Sequence, residues 1–144
     1  ESEYVLLTEA GAEVSVASTK AFTSQVSLLL NVAFRWGTRQ KKINISEVFD
    51  LHEVLSSLPE LIAQTLEVES EIKLTAKKLI SASQVFFLGK SILFPIALEC
   101  ALKLKEISYT FSEAYPAGEL KHGPLALIDK NTVCVILAHA PMKN

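Results

Sequence analysis

Basic runs are missing from this sequence. Only 21% of its 144 residues are charged, and the formal net charge is -2. A nucleic-acid surface needs clustered Lys and Arg to neutralise phosphates, so that class of partner is set aside. Cysteine is scarce as well. Cys100 and Cys134 sit in apolar stretches without CxxC spacing. That suits buried thiols in a reducing compartment, with cytoplasm as the expected location, better than a disulfide scaffold or a zinc site. No apolar run reaches the roughly 18 to 20 residues that a bilayer span requires. The opening Glu1-Ser2-Glu3 lacks the positive-then-apolar order of a signal peptide. Internal repeats and low-complexity segments are absent too. What is there is apolar: 49% hydrophobic residues, enough for a core, in a chain the size of one ordinary domain.

Tyr4-Val5-Leu6-Leu7 is a short β-type run that leads to a turn at Gly11. Ser18 and Thr19 stand as N-caps before a long apolar segment, 21–36, expected to be a buried helix that ends at Gly37 and the basic residues after it. Val48, Leu51, Val54, Leu55 and Leu58 recur at helical spacing, and Pro59 suits the first turn of a further helix. That helix runs to Ile80 with a break between Glu67 and Ser70. The period then changes. Val85-Phe86-Phe87-Leu88, stopped by Gly89, fits a strand buried on both faces of a parallel sheet. Pro95 opens a helix to Ser108, a polar loop runs from Glu113 to Pro124, and 132–138 reads as a second buried strand. Strand, helix, strand order implies right-handed parallel crossovers and an α/β fold. Three strand candidates divided by helices do not make one satisfying sheet. The expected organisation is two partial domains, 1–70 and 71–144, joined by helices.

The helix from Pro95 to Ser108 is apolar nearly all round, so its charges need a reason. Glu99, Lys103 and Glu106 are spaced by four and then three residues, which puts them on one stripe. An ordinary solvated set of ion pairs explains that spacing. So does a base held at fixed geometry between neighbours that tune its proton affinity. The loop after it, from Glu113 to Pro124, carries His122, a candidate general acid or base or simply a surface residue. No second His or Cys stands at metal spacing from it, and no metal is expected. At the start of the first long helix, Val16-Ala17-Ser18-Thr19-Lys20 offers hydroxyls, backbone N–H groups and a cation to an anionic or polyhydroxylated ligand, although plain N-capping accounts for them equally.

Two stretches, LLTEAGAEVSVASTKAFTSQ from Leu6 to Gln25 and IALECALKLKEISYTFSEAYPAGELKHGPLALID from Ile96 to Asp129, resemble the isomerase part of the glutamine:fructose-6-phosphate amidotransferase family. The similarity runs through nearly the whole chain in order and is weakest from Thr38 to Gln84. It implies a three-layer αβα sugar-isomerase (SIS) fold with a parallel sheet: the end of one SIS domain plus linker helices in 1–70, and the beginning of a second in 71–144. The implied reaction opens fructose 6-phosphate, adds ammonia at C2 and moves a proton between C1 and C2 to give glucosamine 6-phosphate, with no cofactor. By the same resemblance Glu106 moves the proton, Lys103 assists at the C1 hydroxyl, and Glu99, the helix's other charged position, binds the substrate. His122 serves ring opening from a neighbouring subunit, which implies a homodimer. Val16 and Ser18 contact the sugar phosphate. A glutaminase domain is implied in the same full-length protein, and neither nucleic acid nor membrane is an expected partner.

The family's phosphate-binding Ser/Thr loop, its C-terminal Schiff-base lysine and its cysteine-first glutaminase domain are not in this sequence. The stretch alone is therefore expected to be inactive. Lys90-Ser91 and Cys100 stand where the family pattern has glycines. A sugar-phosphate-binding regulator of the same fold, or an aminosugar isomerase or deglycase, is the alternative; the LKLKEISY and GELKHGPLA stretches favour catalysis.

Overall fold

The computed structural model describes residues 3–139; the closing Pro141-Met142-Lys143-Asn144 and the opening Glu1-Ser2 lie outside the described residues. The chain divides into two compact units, one up to Ser70 and one from Glu71 onward.

The first unit is helical. Its helices are α1, Lys20–Arg39, and α2, Ile45–Leu66. The expected strand at Tyr4-Val5-Leu6-Leu7 does not form: the segment has no secondary structure and all four side chains are exposed. A strand needs a neighbour to take its N–H and C=O groups, and none among the described residues pairs with it. Nor is α1 a buried helix, because neither α1 nor α2 contains a buried residue. Gly37 does not end α1. The helix runs on to Arg39, and Lys41 takes the left-handed conformation (φ 55°). The N–H groups of Lys42 and Lys41 return to the carbonyls of Gly37 and Thr38, a Schellman closure with lysine where glycine is usual. α2 opens on a capping box: the Asn44 side chain accepts from the Glu47 N–H, and the Glu47 carboxylate accepts from the Asn44 N–H. Pro59 does not start a new helix but lies inside α2. The apolar stripe continues on both sides of it through Leu55, Leu58 and Ile62, so the helical period outlasts the one hydrogen bond that proline removes. The expected break does occur, since α2 stops at Leu66 and α3, Glu69–Leu79, begins after it.

The second unit is α/β. Its elements are β1, Gln84–Gly89; α4, Leu93–Ser108; β2, Phe111–Pro116; and β3, Thr132–Leu137, with short 3-10 turns at Leu120–His122 and Pro124–Leu127. The sheet is parallel, in the order β2-β1-β3. β1, central and apolar, is buried from Val85 through Gly89 as expected for a strand covered on both faces. From Glu113 to Pro116, β2 occupies the start of the expected polar loop. Its alternating Ser112, Glu113, Ala114 and Tyr115 instead bury Ser112 and Ala114. α4 begins two residues before Pro95 and buries only Ala97 and Ala101, against Val85, Phe87 and Ala114; Leu98, Leu102 and Ile107 stay exposed. Small residues let the helix approach the sheet closely. Ser112, fully buried, donates from its hydroxyl to the Ala101 carbonyl at 2.7 Å. On the opposite face, the Phe86 and Tyr115 rings meet edge to face at 5.3 Å. β3 alternates, with Val133, Val135 and Leu137 packed toward the α4 side, and so Cys134, expected to be buried, is exposed.

β1 leads through α4 to β2 on one side, and the chain then crosses to β3 on the other. Strand order thus reverses at β1, and the carboxyl ends of the strands at such a reversal are the usual place for ligands in open α/β sheets.

Candidate functional site

The stripe on α4 is the densest charged group in the second unit. Lys103 Nζ lies 2.6 Å from Glu106 Oε2 and 3.5 Å from Glu99 Oε1, so one ammonium joins both carboxylates. At about 100° per residue the three project away from Ala97 and Ala101. Yet the Lys103 side chain is only 20% exposed, and those of Glu99 and Glu106 25% and 30%. The short bond to Glu106, followed by the charges of Glu106 and Glu99, raises the Lys103 pKa above its ordinary value against the opposing effect of desolvation. Lys103 is therefore a fixed cation, not a tuned base. The proton-accepting capacity of the stripe rests in its carboxylates, held in place by the ammonium.

Close by on α4, Cys100 is half-buried, and burial together with the Glu99 charge pushes its thiol pKa up, so it is an inert packing residue. Lys105 points elsewhere, to Glu113 of β2 at 3.2 Å.

His122 ends the 3-10 turn Leu120–His122, exposed, with its N–H bonded to the Glu119 carbonyl. Gly123 follows with φ 149°. Among the described residues no hydrogen bond or ion pair joins His122 to the α4 stripe, and none gathers His, Cys, Asp and Glu side chains as a metal site would.

In the first unit Val16 is exposed, Ala17 buried and Ser18 half-buried. Thr19 is the N-cap of α1, but its hydroxyl makes no cap bond. Glu13, six residues back, does the capping: one carboxylate oxygen accepts the Thr19 N–H at 2.8 Å and the other the Ser18 hydroxyl at 2.9 Å. The Thr19 N–H, more than any other group, holds the Glu13 pKa below the ordinary carboxylate value. Sequence reasoning missed Glu13 because capping patterns look three residues away, not six. A hollow of about 1050 Å³ between α1 and α2 is lined by Val32, Phe34, Trp36, Phe49, Leu51 and Leu55 among others, and holds none of the candidate residues.

No helix among the described residues is long and apolar enough to cross a membrane. Residues 78–143 match the SIS domain. The chain is 49% identical to a glutamine--fructose-6-phosphate aminotransferase [isomerizing] of Xanthomonas campestris pv. campestris, over 95% of this chain and 22% of that protein. It is 50% identical to the same-named protein of Treponema pallidum, over 97% of this chain and 22% of the relative. Among solved structures, the C-terminal domain of glucosamine-fructose-6-phosphate aminotransferase from Francisella tularensis superposes with a TM-score of 0.86 at 41% identity, over 89% of this chain and 36% of that one. The chain thus spans about a fifth of the length of the curated relatives it matches. Residues 78–143 thus match the SIS domain, and the whole matches part of the C-terminal isomerase region of the glutamine--fructose-6-phosphate aminotransferases.

Proposed function

We propose that this chain is part of an enzyme that converts fructose 6-phosphate and glutamine-derived ammonia into glucosamine 6-phosphate. The observation that carries the reading is the Glu99–Lys103–Glu106 group, with its 2.6 Å Lys103–Glu106 bond. Once ammonia has added at C2 of the opened sugar and water has left, a proton must leave C1 and return at C2. Glu106, held 2.6 Å from the Lys103 ammonium, is the carboxylate for that transfer. Lys103, kept protonated, steadies the negative charge that develops on the C1 oxygen. Glu99 holds the ammonium from its other side.

Val16 and Ser18 are proposed as sugar contacts, and His122 as the ring-opening group, acting in the site of a partner subunit of a homodimer. Its exposed position and lack of a bond to the α4 stripe support that assignment. The ammonia is assigned to a glutaminase domain of the same full-length protein, the setting to the cytoplasm, and the reaction to protein groups without a cofactor. Residues up to 70 are assigned to a first SIS domain with linker helices, and 71–144 to a second.

Glu106→Gln in the full-length protein tests the reading. Solvent-proton exchange at C1 and C2 should fall by about 10²- to 10⁴-fold, the usual worth of a positioned acid–base group, while sugar binding persists. Undiminished exchange would remove Glu106 from the mechanism.

A further inference from the structure

Parallel strands cannot be joined by a tight turn, so the chain must travel back along the sheet, most often as an α-helix. From β1 to β2 it does so through α4. From β2 to β3 the crossover has only the two short 3-10 turns, and it is this crossover that carries His122. A helix satisfies its own carbonyls, whereas irregular backbone must find donors elsewhere. At the start of the crossover the Ala117 N–H bonds to the Gly89 carbonyl at 2.9 Å, at the carboxyl end of β1. Near its end the side-chain amide of Gln84, at the amino end of β1, donates to the Leu127 carbonyl. That amide also donates to the Thr132 hydroxyl at 2.8 Å. Thr132 in turn donates to Asp129 Oδ1 at 2.8 Å and accepts the Asp129 N–H at 3.0 Å. Both amide protons of Gln84 and the whole bonding capacity of the Thr132 hydroxyl are thereby used. The crossover is tied at both ends of β1, with His122 midway between Ala117 and Leu127. Val85 and Phe87 pack with α4, so Gln84, of the opposite parity, belongs to the other face of the sheet. Right-handed connections that step in opposite directions across the sheet likewise put α4 and the crossover on opposite faces.

We propose that Gln84 is a positioning residue for His122: its amide, oriented by Thr132 and Asp129, pins the helix-free crossover and so presents the imidazole at a fixed place. This rests on the reading that His122 opens the sugar ring.

Ring opening breaks the bond between C2 and the ring oxygen, with one proton arriving at that oxygen and one leaving the C2 hydroxyl. The analogue of fructose 6-phosphate that lacks the C5 hydroxyl cannot close the ring and needs no opening. In the full-length protein Gln84→Leu removes both donors at similar volume. Turnover of fructose 6-phosphate should fall about 10- to 100-fold, the cost of a misplaced group, while turnover of the open analogue stays at the unmutated rate. Equal losses on both substrates, the mark of a merely structural role, or no loss on fructose 6-phosphate, overturn the proposal. Gln84→Glu keeps the shape but only accepts at neutral pH, so it should reproduce the selective loss; full turnover of fructose 6-phosphate by that variant counts against it. Hydrogen exchange at the His122, Ala126 and Ile128 amides reads the tie without reference to the reaction. It should quicken about 3- to 10-fold in Gln84→Leu, the worth of one hydrogen bond, with the α4 amides unchanged. Unaltered exchange in the crossover would also sink the proposal. His122→Ala checks the ring-opening reading separately: equal effects on the two substrates end that reading, and the exchange rates still decide whether Gln84 holds the crossover.

Discussion

The two units keep their shape by different means. In the second, order comes from packing between residues distant in sequence: Val85 and Phe86 are fully buried in a strand paired on both sides, and Ser112 reaches back eleven residues to the Ala101 carbonyl. In the first, order comes from local hydrogen bonds: the Glu13 cap, the Lys41 closure of α1 and the Asn44–Glu47 box. There Ala17 is the only buried residue among those described, and Trp36 is 67% exposed. A side-chain N-cap such as that of Asn44 is worth about 1 kcal/mol, whereas one fully buried large side chain is worth about 1.5–3 kcal/mol. A helix with a sheet to lie on needs no special ends, while helices that lean only on each other depend on them.

The largest effect should come from truncating an aromatic in each unit. Phe86→Ala opens a cavity beneath Tyr115 and should cost about 3–5 kcal/mol. Trp36→Ala removes a mostly solvated ring and should cost less than about 1 kcal/mol. Denaturant unfolding of the full-length protein, with hydrogen exchange of the β1 amides as the local reporter, measures both. Equal losses would mean that the first unit has packing of its own and would end the contrast.

That contrast also governs what could be read from sequence. β1 and α4 were legible, β1 because an unbroken apolar run announces its burial and α4 by the change to helical period; β3 was legible as a strand but not in its burial, since it holds no buried residue and leaves Cys134 exposed. The stripe of Glu99, Lys103 and Glu106 was legible too, since spacings of four and three permit one helical geometry only. β2 was not, because an edge strand with one solvated face reads Phe-Ser-Glu-Ala-Tyr-Pro, much like a loop. Tyr4-Val5-Leu6-Leu7 misled in the opposite direction: its composition suits a strand, but pairing is decided by a partner elsewhere. Glu13 could not be found by any fixed spacing, because six residues of irregular backbone bring it to Thr19. The direction of the Lys103 shift also needed coordinates, since charge raises its pKa and desolvation lowers it, and only the 2.6 Å contact decides which prevails.

A pair of glycine substitutions sharpens the comparison at lower amplitude. A Cβ on Gly89 would stand 2.6 Å from the Leu93 carbonyl carbon and 2.7 Å from Phe94 Cα, backbone atoms that cannot rotate away. Gly89→Ala should therefore separate β1 from the start of α4 and cost about 1–3 kcal/mol. A Cβ on Gly37 would meet Ile43 Cγ1 at 2.8 Å, part of a side chain that can turn aside. As Gly37 lies inside α1, Gly37→Ala also gains up to about 1 kcal/mol of helix propensity, so it should be neutral or stabilising. Thermal unfolding of the two variants should give shifts of different sign or very different size; two large losses would show that Ile43 is held as rigidly as the core.

The smallest effect is acidic and local. Glu13 in the first unit and Asp129 in the second are both held below the ordinary carboxylate range, Glu13 chiefly by the Thr19 N–H and Asp129 chiefly by the Thr132 hydroxyl. A depressed folded-state pKa means that the stabilisation is fully present above the unfolded value and disappears as pH falls through the folded one. Protonating Glu13 removes the charge that caps α1, and no buried contact in the first helical turn replaces it. Protonating Asp129 loosens the turn into β3, but Val133 and Val135 still pack against the core. Below about pH 4 the amides at the start of α1 should therefore exchange faster while those of β1 and β3 keep their protection. Glu13→Gln should abolish that pH dependence in α1 alone. Simultaneous loss of protection in both units would mean that their stabilities are not set separately by local caps and by packed core.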